Sequence, residues 1–294
     1  LKREHPEALK SKLNMDVDVL PVLSADVGDR NRTSPFAFTG NKFEFRMAGS
    51  SSTPSTTTAA LNAIVGTVLR EYADKLEQAT GDTLDKVIEE IITDAYKNHK
   101  RIIFNGNGYS KEWEIEAHRR GLTNDISSNL ALRKYIDPEI LKMVEEAGML
   151  TRQESISRYN AYAERYVTHL CIEGRTLIDI ANKFVLPAGV KYGSLLADHI
   201  EKTSKYGKDL VKEQEEILKM VLEHITKLRK ETKSLEENIK KVKEEEDLGK
   251  QTDMAKNDIE EGLKKLRVPC DNLEKIVDAS IWPLPTYKDL LFKL

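Results

Sequence analysis

Two stretches near the start of the chain hold residues whose types and spacing suit phosphoryl chemistry. Asp29-Arg30-Asn31-Arg32-Thr33-Ser34-Pro35 supplies arginines, and Lys42-Phe43-Glu44-Phe45-Arg46 sets a carboxylate between two bases at intervals of two. Arginine offers a planar fork of donors matched to carboxylate and phosphate oxygens. On a strand, residues two apart share a face, so Lys42, Glu44 and Arg46 would line one side and Phe43 and Phe45 the other. A carboxylate flanked in this way can hold a divalent cation while the bases clamp an anionic substrate, neutralising the charge that develops on transfer. An exposed hairpin with ordinary salt bridges would use the same residues. Spacing alone leaves both readings open.

The elements that must position these residues change character along the chain. Phe36-Ala37-Phe38 and Phe43-Glu44-Phe45 are period-2 runs separated by Thr39-Gly40-Asn41-Lys42, which is turn chemistry at hairpin length. Residues 50–58 are all Ser, Thr or Pro, and an apolar helical stripe follows through Leu61, Ile64, Val65, Val68 and Leu69. A second helix is expected from a cap at Asp82 or Thr83 to about Lys100, and a third from near Lys111. Beyond Thr123 the pattern is helical almost throughout, punctuated by Pro138, Gly148, Gly174, Pro187 and Gly189. From Lys208 it tightens. Leu218, Val221, Ile225, Leu228, Thr232, Leu235, Ile239 and Val242 follow one another at alternating intervals of 3 and 4, a heptad seam with one polar member. Ile259, Leu263, Leu266, Cys270, Leu273 and Val277 make a return seam, with Pro269 expected to kink or interrupt it. The charged stretch Glu244 to Asp247 would be the elbow of an antiparallel, coiled-coil-like hairpin.

Composition narrows the function classes. The 294 residues carry 46 Lys+Arg against 49 Asp+Glu, a net charge of −3, so nothing electrostatic favours nucleic acid or an anionic membrane. No stretch approaches the roughly 20 apolar residues of a membrane span. Two cysteines are too few for a disulfide scaffold or a zinc site, which fits a reducing cytoplasm. The six histidines form no metal pattern. Asn105-Gly106-Asn107-Gly108 follows an apolar run and precedes a helix, but it lacks the third glycine of a dinucleotide fingerprint and the Gly-Lys-Ser/Thr of a phosphate loop. A structured turn fits it better.

The string DRNRTSPFAFTGNKFEFR, Asp29 to Arg46, resembles the catalytic signature of the large, type III glutamine synthetases. HKRIIFNGNGYS at 99–110, GMLTRQESISRYNAYAERY at 148–166 and WPLPTYKDLL at 282–291 extend the resemblance over most of the chain. It implies ATP-dependent ligation of ammonia to glutamate through γ-glutamyl phosphate, with Mg²⁺ or Mn²⁺. It implies Arg32 as the catalytic arginine at the transferring phosphoryl group, Glu44 as a metal ligand and Arg46 as the residue that binds the glutamate carboxylate. Lys42 falls where smaller forms have an arginine facing the ATP phosphates. Partners would be glutamate, ammonia, ATP and further copies of the chain, as a dodecamer of two stacked hexamers, with neither nucleic acid nor membrane.

The fold class expected is α+β. Residues 1–125 would be the end of the catalytic β/α domain, and 126–294 a helical C-terminal domain with its hairpin arm at about 208–280. Since the family's other metal glutamates lie upstream of its signature, the chain is read as the C-terminal part of a longer enzyme, inactive alone. The competing reading is a non-catalytic helical scaffold or regulatory paralogue that retains the strand motif. Ala37, standing where smaller forms place a phosphate-contacting arginine, favours that alternative.

Overall fold

A computed structural model describes residues 12–13, 23–24, 36–38, 43–45, 53–104, 108, 110–285 and 287–291. Two compact units divide the chain, residues 1–124 and 125–294. The α+β expectation is overturned. Helix dominates the described residues, and the β content is two separate antiparallel ladders: β1 (Lys12–Leu13) with β2 (Leu23–Ser24), and β3 (Phe36–Phe38) with β4 (Phe43–Phe45). Two strands cannot bury a face without a third strand or a helix over them. No β/α layer is built from them among the described residues.

In the first unit, α1 (Ser55–Glu77) starts inside the Ser/Thr run, directly after Pro54. Helix α2 (Leu84–His99) starts after Thr83 and packs against α1. Helix α3 (Lys111–Arg119) is capped by Ser110, whose Oγ accepts from the Trp113 amide at 3.3 Å. It closes at Gly121 with φ +71°, where the amides of Gly121 and Leu122 donate back to His118 and Ala117. That left-handed turn is one that only glycine adopts cheaply. None of the three helices contains a fully buried residue. Along their apolar stripes, Leu69, Ile92, Tyr96 and Ile115 are each more than 60% exposed.

The second unit holds the core. Helices α4 (Ser128–Leu132) and α5 (Pro138–Glu146) lead into α6 (Arg152–Ile180). Thr151 opens α6 with a reciprocal capping box: its hydroxyl accepts from the Glu154 amide at 3.2 Å, and Glu154 accepts from the Thr151 amide at 2.8 Å. A wide π turn at Ala181–Val185 joins α6 to α7 (Leu186–Thr203) without a break. Pro187 has no amide for the carbonyl of Lys183, and the wide turn lets the helix pass that gap. Helix α8 (Lys212–Glu244) is about 50 Å long at 1.5 Å per residue. After the elbow, α9 (Leu248–Met254), a second π turn (Ala255–Glu260) and α10 (Glu261–Ile276) return, and α11 (Tyr287–Leu291) follows. Pro269 lies inside α10, buried, and does not end it.

The expected arm is the centre of a bundle. Val221, Leu228, Leu235 and Val242 of α8 and Ile259, Leu266 and Leu273 of the return are fully buried. They share one cluster with Val167, Leu170, Cys171, Ile178 and Val185 from the α6–α7 helix. Burying each such side chain contributes about 2 kcal/mol. The one polar seam member, Thr232, is satisfied by donating to the Leu228 carbonyl at 2.8 Å.

Glycine makes this packing possible at two points. A Cβ on Gly174 would stand 2.8 Å from Ile239 Cδ1, and a Cβ on Gly262 would stand 2.8 Å from Leu235 Cδ1. At both positions the facing side chain lies against bare backbone.

One polar network ties α4 and its following turn to α9. Asp253 accepts from Asn129 Nδ2 at 2.8 Å and from Arg133 Nη2 at 2.5 Å. Burial raises the Asp253 pKa, but the Asn129 and Arg133 hydrogen bonds outweigh it and hold the carboxyl below its ordinary range. A carboxyl depressed in the folded state stabilises fully above its unfolded pKa, near ~3.9. That contribution is lost as pH falls through the lower folded value. The expected result is that Asp253→Asn loses stability relative to wild type at neutral pH, and that the gap closes as urea midpoints are measured from pH 5 downward. A gap independent of pH would remove the carboxylate from the account.

Candidate functional site

Glu44 is the middle residue of β4, and its Cα partner across the ladder is Ala37, with Phe36 opposite Phe45 and Phe38 opposite Phe43. The hairpin expected from the two period-2 runs is paired in that register. Arg32, Lys42 and Arg46 lie outside the described residues, as does the Ser50 to Ser52 part of the Ser/Thr run.

The second motif is described on both flanks of its loop, whose residues 105–107 and 109 are outside the description. On the near side, α2 ends at His99, a tight turn covers Lys100–Ile102, and Phe104 stacks on Trp113 with ring centroids 4.1 Å apart and planes 21° apart. On the far side, Ser110 caps α3. Arg120, just past the end of α3, joins the two flanks. Its Nη1 donates to the carbonyls of Ile103 at 2.8 Å and Arg101 at 3.2 Å, and its guanidinium sits 5.6 Å from the centre of the Trp113 ring. Glu116 steadies it, accepting from Arg120 Nε and Arg119 Nε, both at 2.6 Å. Those hydrogen bonds, Arg119 first, hold the Glu116 carboxyl down to about 2. The loop therefore leaves and re-enters a fixed frame.

Sequence reasoning marked the loop but missed Trp113, Glu116 and Arg120. The Glu116-to-Arg120 spacing of four was readable as a helical ion pair. The two carbonyls that Arg120 holds were not, since backbone acceptors carry no residue signature.

The other two motifs are structural where they are described. In 148–166, Gly148 takes φ +67° at the end of α5, Thr151 and Glu154 build the cap, and Ser155, Tyr159 and Ala163 are buried. In 282–291, Trp282 and Leu284 pack against the core cluster.

Cation and thiol chemistry can be tested on the side chains present. No group of three or more His, Cys, Asp or Glu gathers into a possible metal site among the described residues. Mg²⁺ or Mn²⁺ needs about six ordered oxygens, so the described donor set does not fit such an ion. Cys171 and Cys270 are free and buried, and burial pushes the Cys270 thiol up to about 11. Neither is poised as a thiolate nucleophile. None of the described helices is long and apolar enough to cross a membrane.

Comparison with known sequences shows what the chain is similar to. Residues 87–204 match the family model described as the glutamine synthetase C-terminal domain. Over 292 residues the chain is 32% identical to a glutamine synthetase of Bacteroides fragilis (strain YCH46), covering 96% of this chain and 40% of that protein. It is 32% identical over 287 residues to a type-3 glutamine synthetase of Dictyostelium discoideum, with 95% and 39% covered. A glutamine synthetase of Butyrivibrio fibrisolvens is 30% identical over 270 residues, with 92% and 38% covered. The chain thus spans about two fifths of the length of the curated relatives it matches.

Proposed function

On the premise that the chain is related to glutamine synthetase and corresponds to a C-terminal portion of it, we propose that it serves as the distal part of an ATP-dependent glutamate–ammonia ligase. The observation that carries this reading is the exposure of the first unit's described helices. Three helices with apolar stripes bury no residue completely among the described residues. Exposed apolar patches of this extent mark surfaces made to be covered. Further polypeptide of the kind the relatives possess would cover them.

In this reading the reaction forms a γ-glutamyl phosphate from glutamate and ATP, and ammonia then displaces the phosphate. Arg32 meets the transferring phosphoryl group and Lys42 the nucleotide phosphates, both lowering the cost of charge build-up on oxygen. Arg46 holds the glutamate carboxylate through a fork of parallel hydrogen bonds. Glu44 supplies one carboxylate to the Mg²⁺ or Mn²⁺ that the family employs, and the remaining ligands come from elsewhere in the enzyme. The Arg120 clamp holds the ends of the 105–109 loop so that it can meet bound substrate. Assembly as a homo-oligomer in the cytoplasm belongs to the same proposal. So does the partition of the chain into the end of a catalytic domain, 1–125, and a helical C-terminal domain, 126–294.

A chimera tests it. The matching C-terminal two fifths of the Bacteroides protein is replaced by this chain, and ATP-dependent glutamine formation is measured. The chimera should be active, and Glu44→Ala in it should cut turnover about a hundredfold or more, the scale on which a single electrostatic contact to the reacting centre acts. This chain purified by itself should form no glutamine. A chimera that assembles normally but stays inactive, beside an active parent, would favour the non-catalytic scaffold instead.

A further inference from the structure

The first half of α8 carries a pattern that nothing above uses. Glu215, Lys219, Glu223 and Lys227 recur at intervals of four, so they form one ridge along the helix, with signs alternating acid, base, acid, base. Leu218, Leu222 and Thr226 form the next ridge beside it. The furrow between the two ridges is an open groove of about 720 Å³, lined also by Ile200 of α7.

The described chain leaves this groove uncovered. Leu222 is 52% exposed. Thr226 donates its hydroxyl to the Leu222 carbonyl at 2.9 Å, so its hydrogen is already placed. Ion pairs of α8 lie towards its two ends, Lys212 with Asp209 and Lys240 with Glu244. None of the four ridge charges makes an ion pair among the described residues.

The order of signs is symmetric on reversal. Under a two-fold axis crossing α8 near Val221, Glu215 of one copy meets Lys227 of the other, and Lys219 meets Glu223. An acid then faces a base at all four positions, whereas parallel pairing in register sets like on like. A self-complementary patch is what a contact between identical subunits about a two-fold axis requires. A partner of another sequence would need no such symmetry. Ridges of this spacing are also those that seat in one another's furrows when two helices cross at about −50°.

We propose that this groove is a contact between two copies of this chain, antiparallel across α8, each copy's acid–base ridge lying in the other's furrow. The Lys and Glu stems cover Leu218 and Leu222, and the cross pairs set the register. Exposed ion pairs contribute little each, so apolar burial supplies the affinity and the charges the specificity. The contact gives self-association a surface, yet it lies wholly within the second unit and stands whether or not the ligase reading holds.

Sedimentation velocity of the full chain over a range of concentrations tests this. Wild type should self-associate with a Kd on the order of tens of micromolar, as suits a helix contact about 18 Å long, well under a standard interface. Lys219→Glu/Lys227→Glu makes the ridge all acid, and Glu215→Lys/Glu223→Lys makes it all base. Each alone should associate at least about tenfold more weakly, with unchanged circular dichroism. Mixed one to one, they should recover to within about threefold of wild type, which pairing inside a single helix cannot produce. Leu222→Gln should also weaken association at least about tenfold. Lys265→Glu/Lys275→Glu, an equal reversal on α10, should leave it within about twofold. A wild type that stays monomeric, a mixture no stronger than its parts, or association indifferent to the ridge variants would overturn the contact.

Discussion

Leu235→Ala should destabilise the second unit by about 3–4 kcal/mol, the range for a large side chain removed from a site that cannot collapse. Leu235 is fully buried on α8, and its Cδ1 lies 2.8 Å from where a Cβ on Gly262 would stand. Truncation leaves a void against the bare backbone at Gly262. A Trp113→Phe background makes Trp282, packed against the core, the reporter for urea unfolding. The double variant Leu235→Ala/Gly262→Ala should recover part of the loss. Its new methyl enters the void, and replacing a mid-helix glycine adds about 1 kcal/mol of helix propensity. Additive losses in the double variant would show that the two positions do not share a cavity.

Gly174→Leu should cost about 3 kcal/mol by the opposite route. The contact between α6 and α8 has no room for a side chain there: a Cβ alone would meet Ile239 Cδ1 at 2.8 Å and Ile259 Cγ2 at 3.5 Å. Forcing in further methylenes drives rotamers and backbone apart. Gly174→Ala is the control. Its helix-propensity gain opposes the shift of one methyl group, so its unfolding midpoint should lie close to wild type. A Leu variant as stable as wild type would mean that α6 stands away from α8 at this point.

These two positions show how far the sequence could be read. The seam containing Leu235 was visible because apolar spacing at 3 and 4 is a property of one chain segment. Gly174 was read as punctuation, because a glycine that ends a helix and a glycine that admits a neighbouring helix look identical until the neighbour is known. Pro187 and Pro269 posed the same problem. Both sit within continuing helix, because a wide turn or burial in the bundle offsets the lost hydrogen bond, and neither remedy is written in the residues around them. The arm was expected as an antiparallel, coiled-coil-like hairpin, with what it packs against left open. Only the facing stripe of the α6–α7 helix, more than twenty residues away in sequence, turns it into a core.

The site was less legible than the fold. Glu44 and its flanking bases were marked by alternation, but a strand with three charges on one face is equally an exposed edge. Resemblance to a family, and not spacing, is what favours the site reading. The α+β expectation failed for a related reason. It carried over the end of a β/α catalytic domain from the resemblance, and a layered sheet requires strands and covering helices that the described residues do not form.

The wide turn at Ala181–Val185 has one more consequence. An extra residue enters the helical ladder there, so side chains beyond it are out of phase by about 100°, the rotation of one residue. The rod from Arg152 to Thr203 is continuous along its axis yet indexed in two registers, like a shaft with a keyed coupling partway along. Its first half is phased to close on Ile239 and Ile259 through Gly174, and its second half on Ile225 and Leu273 through Gly189.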